Sequence, residues 1–171
     1  MNLIALIRRI DRINMSIGQA VSWLSLAMVL VTVVDVIMRY LLNTGAVWVQ
    51  ETEWHLFGLT FLLSAGYTLQ RDGHVRVDIF YAKRSRRTKA WIDLFGTLLF
   101  LFPVCAVVIW SSHKFVMNSW DFGEGSPDPG GLPARYLIKA MIPTAFVLVA
   151  VQGVSELLKQ LTTLFGRKER T

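Results

Sequence analysis

The chain has 171 residues, 53% of them hydrophobic, with a mean hydropathy of +0.45. That length fits one domain, and the apolar share exceeds the roughly 45–50% of soluble domains. A net charge of +6 would suit a nucleic-acid binder, but the basic residues flank long apolar runs, so no nucleic-acid partner is expected. The lone cysteine, Cys105, excludes an intrachain disulfide framework.

Residues 1–14 interleave Leu3, Ile4, Ile7 and Ile10 with Arg8, Arg9 and Arg12. This pattern suits a short amphipathic helix lying on the inner leaflet, the alternative being a frayed basic leader. No cleavable signal is expected, because the apolar run that follows is long and lacks a small-residue cleavage site. Four apolar stretches come next, at 17–37, 54–69, 91–110 and 136–158. About 20 helical residues cross a bilayer core, and three of the stretches supply that outright. The second reaches spanning length only if Trp48, Gln50, Glu51 and Glu53 form its outermost turns. The expectation is an all-α membrane protein of four transmembrane helices. Its divisions are an amphipathic segment at 1–14, the transmembrane domain at 15–160 and a basic tail at 161–171.

Fourteen of the eighteen basic residues fall before the first stretch, between the second and third, or after the fourth. By the positive-inside rule both termini face the cytoplasm. Pro103 is expected to kink the third span, and Pro143 lies early in the fourth. Trp48, Trp54, Trp110 and Trp120 suit an outer aromatic belt, and Trp91 an inner one.

Few residues can carry chemistry. Asp35 and Arg39 are four apart and share one helical face at the outer end of the first span. They either pair locally or reach another helix, Arg39 having Glu51 and Glu53 within range. Glu51 and His55 form another same-face pair, but no nucleophile elbow, HExxH or phosphate loop accompanies them. No enzyme, metal site or cofactor is therefore expected. His55 and His113 at matched depth leave b-type haem in an electron-transfer subunit as the alternative. A small proton-coupled exporter using Asp35 is a third reading. The inner loop alternates polar His74, Arg76 and Asp78 with Val75, Val77 and Ile79, as a membrane-surface segment or a turn entering a helix would. The outer loop at 121–133 is dense in Gly, Pro, Asp and Ser, and is either a docking surface or a flexible linker.

In order and spacing these features resemble the small membrane subunit, DctQ type, of tripartite ATP-independent periplasmic (TRAP) transporters. The matching residues are Arg39-Tyr40 closing span one, Trp48 and Glu51 opening span two, and the string Gly73-His74-Val75-Arg76-Val77-Asp78 after it. The resemblance covers about 13–158, and the 126–139 stretch is similar to a branch associated with organic-acid or mannitol/chloroaromatic systems. It implies a multi-pass subunit of the bacterial inner membrane, partnered by a large permease subunit, a periplasmic substrate-binding protein and membrane lipids. Uptake in the family runs on an ion gradient, usually sodium, without ATP. On this resemblance Asp35, Arg39, Glu51, Glu53, Asp128, Arg135 and Tyr136 belong to a periplasmic partner interface. His74, Arg76 and Asp78 then fix the inner loop against the bundle or the large subunit. The runs 26–34, 59–63 and 98–108 are overwhelmingly apolar, which suits a scaffold better than a carrier of charged solute.

Overall fold

The computed structural model describes residues 3–71, 73, 81 and 83–165. Its long elements are all helical, and no strand occurs among the described residues. Helix α1 runs Leu3–Tyr40, α2 Val47–Gln70, α3 Arg86–Asp121 and α4 Tyr136–Phe165. Three of them, α1, α3 and α4, are long and apolar enough to cross a membrane. Helix α2 carries Glu51, Glu53 and His55 in its opening turns, which lowers its hydropathy. Its 24 residues nonetheless extend about 36 Å, longer than a hydrocarbon core of about 30 Å.

The structure differs from the sequence expectation at the start of α1. The 38 residues form one helix, about 57 Å long, that passes through Asn14 without interruption. The physical reason is local: no proline occurs in the helix, the first glycine is Gly18, and Leu, Arg and Met are strong helix formers. Ile10, Asn14, Gly18 and Val21 recur at helical spacing and are buried along one stripe. The arginine-rich turns are thus the first part of the same rod. At the other end the chain leaves α1 at Tyr40, and Asn43 adopts a left-handed φ of 51° in the short turn to α2.

Proline shapes the third helix. Pro103 has no N–H, and its ring crowds the carbonyl four residues back. Residues Thr97–Leu101 accordingly form a π-helical stretch, with the Phe102 N–H bonded to the Thr97 carbonyl. The disturbance expected of Pro103 is a widened turn within one continuous helix. Ser85 opens α3 as an N-cap, its hydroxyl accepting from the Thr88 N–H at 3.2 Å.

Helix α4 occupies the centre. It packs on α1, α2 and α3, while α1 and α2 also pair along their length. By contrast α3 rests on α4, with no substantial contact to α1 or α2. Ala90 and Leu94 of α3 bury against Leu164 and Leu161 of α4 and hold the foot of α3 in place. Near the middle, Gly153 admits Leu101 and Phe102.

Helices in lipid approach closely where side chains are small, because packing rather than water exclusion draws them together. A Cβ on Gly18 would lie 2.3 Å from Tyr67 Cγ and 2.8 Å from Tyr67 Cβ, at the root of that side chain. Rotamer change cannot relieve such a clash; α2 itself must move. Gly18→Ala is therefore expected to cost about 1–3 kcal/mol, read as a lowered midpoint in detergent thermal unfolding. Gly96, which faces open space, is the control position. Alanine there is expected to be neutral or stabilising by up to about 1 kcal/mol.

Candidate functional site

Two polar clusters occupy opposite ends of the helices. The first forms where α2 begins and α3 gives way to α4. Glu51, in the opening turns of α2, is only 4% exposed. Its Oε1 accepts from Ser126 Oγ at 2.6 Å and from Arg135 Nη2 at 2.8 Å. Its Oε2 accepts the Leu132 N–H at 2.5 Å. One carboxylate thus ties the α3–α4 loop onto α2 at three points, two on the loop and one at the foot of α4.

The loop is shaped to reach it. Gly123 and Gly130 adopt φ of 56° and 81°, where a β-carbon is strained. Gly131 passes so close that an added Cβ would lie 2.3 Å from Ser126 Oγ and 2.7 Å from Glu51 Oε2. Backbone bonds from the Ser126 N–H to the Leu132 carbonyl (3.0 Å) and from the Arg135 N–H to the Glu124 carbonyl (2.8 Å) close it internally. Lys139, on the first turns of α4, donates to Glu124 and lies 4.1 Å above the Phe115 ring. That ammonium holds the Glu124 carboxyl below the usual carboxylate range. The Arg135 guanidinium sits 5.6 Å over the Trp54 ring, and Tyr136 meets Trp120 edge-on at 4.7 Å. These contacts make a compact cap, with Asp128, Trp120 and Phe122 exposed on it.

The other residues singled out from sequence divide clearly. Glu51, Arg135 and Tyr136 are brought together in the cap. Asp128 stands at the loop tip, its N–H donating to Ser126 Oγ at 3.1 Å. Asp35 is buried and takes its hydrogen bond from Arg39 on its own helix, so the local pair is the arrangement present. Glu53 keeps one buried carboxylate oxygen that has no hydrogen-bond partner among the described residues. His55 Nδ1 lies 2.6 Å from the Glu51 carbonyl oxygen, and its ring lies against Trp54, tilted by 32° with centroids 3.9 Å apart. His113 is exposed on α3, which does not pack on α2. His74, Arg76 and Asp78 lie outside the described residues.

The second cluster, at the cation-rich end, was missed by sequence reasoning. Asp11 and Asn14 of α1 face Gln152, Ser155, Glu156 and Lys159 of α4. Asn14 Nδ2 donates to Gln152 Oε1 at 3.0 Å, and Gln152 Nε2 donates to Asp11 Oδ1 at 3.0 Å and to Glu156 Oε1 at 2.9 Å. Ser155 Oγ donates to Asp11 Oδ1 at 2.8 Å. Lys159 bridges both acids, 3.0 Å from Asp11 and 2.8 Å from Glu156. Gln152 and Ser155 are 0% exposed and Asn14 1%. The signal available in sequence was the spacing of 152, 155, 156 and 159, which puts four polar residues on one face of an apolar helix. Buried polar groups need partners, and α1 supplies them.

Long apolar helices, close glycine contacts and buried charges neutralised in place define a multi-pass helical membrane protein. Residues 28–163 match the family model described as tripartite ATP-independent periplasmic transporters, DctQ component. The chain belongs to that family, a transporter component rather than an enzyme, and is a small TRAP permease subunit. A comparison with curated proteins found no match. The matched residues include the whole cap, α2 and α3, whereas Asp11 and Asn14 precede them.

Proposed function

We propose that this subunit braces the large permease subunit of its transporter and helps to dock the periplasmic binding protein, for ion-gradient-driven uptake of an organic acid or similar solute. In this reading it lies in the bacterial inner membrane with both termini cytoplasmic, and α2 is the fourth span. The observation that carries it is the cap. A loop of turn-forming residues is immobilised through one buried carboxylate and presents Asp128, Trp120 and Phe122 at the outer end of the helices. A connector would not need that fixation, whereas a surface that a soluble partner must recognise repeatedly does. In this reading Asp35–Arg39 and Glu53 extend the same interface, and His74, Arg76 and Asp78 anchor the inner loop.

The test is reconstituted uptake under an inward sodium gradient, with the large subunit and binding protein of the same transporter, with and without this chain. Uptake is expected to require all three. Full uptake without the chain would overturn the bracing role. Unchanged uptake after charge reversal at Asp128 and Arg39 would overturn the docking role.

A further inference from the structure

We propose that the α3–α4 loop and the foot of α4 carry a preformed carboxylate-binding site, and that Glu51 of α2 is its resident, exchangeable ligand. Every donor of the site belongs to one short segment. Ser126 Oγ and Arg135 Nη2 donate to one oxygen of the carboxylate at 2.6 and 2.8 Å, and the Leu132 N–H donates to the other at 2.5 Å. The ligand arrives from 75 to 84 positions away. The segment closes on itself without it. The Ser126 N–H bonds the Leu132 carbonyl, the Gly131 N–H the Asp128 carbonyl, and the Arg135 N–H the Glu124 carbonyl. The Asp128 N–H donates to Ser126 Oγ, which leaves the hydroxyl proton free to meet the carboxylate. Space is reserved as well, since a Cβ on Gly131 would lie 2.7 Å from Glu51 Oε2.

Such a site selects by charge and by shape. Hydrogen bonds to an ionised acceptor are about twice as strong as neutral ones, and three donors spread over two oxygens fit a planar carboxylate. A halide ion has no second oxygen to offer. Without a ligand, the site holds a guanidinium and a backbone N–H in a largely shielded place, and unsatisfied donors there are costly. A carboxylate from solution relieves that cost. In the parent chain the tether keeps Glu51 at a high effective concentration, so free carboxylates do not displace it. The cap therefore has two discrete states, latched by a carboxylate or open. The latch works in this way whichever partner the cap meets, so it does not rest on the docking role.

Deleting the ligand and supplying it in solution tests this. Glu51→Ala removes the heavy atoms of one acetate, from Cγ to the carboxylate oxygens, and Glu51→Gly removes those of one propionate. The purified full chain in dodecylmaltoside is followed by hydrogen exchange at residues 124–135. Exchange there is expected to quicken in Glu51→Ala. Sodium acetate at about 100 mM should slow it again about tenfold, as a dissociation constant of about 10 mM would give. Sodium chloride at equal ionic strength should leave the loop fast. Glu51→Gly should respond more to propionate than to acetate, and Glu51→Ala in the opposite order. Adding Arg135→Gln to Glu51→Ala should abolish the acetate effect, and the parent chain should respond to none of the salts. Equal slowing by acetate and chloride, or none by acetate, would overturn the proposal. So would the same order of preference in both variants, or an acetate effect that survives Arg135→Gln. Fast exchange spreading through α1 and α3 in Glu51→Ala would also overturn it, because the site would then not be contained in its own segment.

Discussion

Glu51→Ala is expected to uncouple the α3–α4 loop from the helices and to reduce reconstituted uptake at least tenfold. The carboxylate accepts from a hydroxyl, a backbone N–H and a guanidinium at once, and it is almost wholly shielded from solvent. Its removal leaves the partly buried Arg135 guanidinium without the carboxylate it donates to, which disfavours the closed loop. The loss is local, because the helices remain held by α4. Hydrogen exchange should therefore quicken at residues 124–135 and stay slow in α1 and α3. Glu51→Gln keeps the shape and an acceptor oxygen but not the charge, and should fall between the parent and alanine. Uptake equal to that of the parent chain in Glu51→Ala, with the loop freed, would separate the cap from docking.

Lys159→Met is expected to destabilise the whole helix assembly. Lys159 is the ammonium that both Asp11 and Glu156 face, and without it two carboxylates share a largely buried network. The lysine and Asp11 keep some exposure, so the cost falls below that of a fully buried pair, at about 2 kcal/mol. For a chain of this size that corresponds to a midpoint lowered by about 4–8 °C. The triple variant Asp11→Asn/Glu156→Gln/Lys159→Met removes the charges together and keeps hydrogen-bonding groups on both helices. It should recover most of the loss. Equal loss in the single and triple variants would mean that packing of the lysine stem, rather than charge balance, holds α1 to α4.

What the sequence made legible follows from which forces are local. Apolar runs disclosed the helices, because each run's membrane preference depends on its own residues alone. The continuity of α1 was obscured because Arg8, Arg9 and Arg12 mark a membrane boundary by charge and yet are good helix formers by conformation. Glu51 stood out as an acid near an apolar run, but its partners Ser126 and Arg135 are separated from it by 75 and 84 positions, and no spacing rule reaches that far. Asp35 and Arg39 were readable as a pair because four residues is one helical turn. The network of Asp11 and Asn14 with Gln152, Ser155, Glu156 and Lys159 was half visible, as a polar stripe on α4. Its purpose emerges only when α1 is laid beside it. Pro103 announced a distortion, but the choice of a π-helical stretch over a simple bend depends on how α3 seats against α4.

The central position of α4 has a consequence for biogenesis. Translation proceeds at about 5–20 residues per second, so the 44 residues between the end of α3 and the end of α4 take about 2–9 seconds to appear. Throughout that interval α1 and α2 have each other, but α3 has no protein surface on which to settle and must wait in lipid. Only when α4 enters can the three earlier helices be gathered, and both polar clusters close in the same event, since Arg135 and Lys159 lie at its two ends. Attachment of α3 is therefore a late step, and a nascent chain halted before α4 offers a quality-control protease an unattached α3.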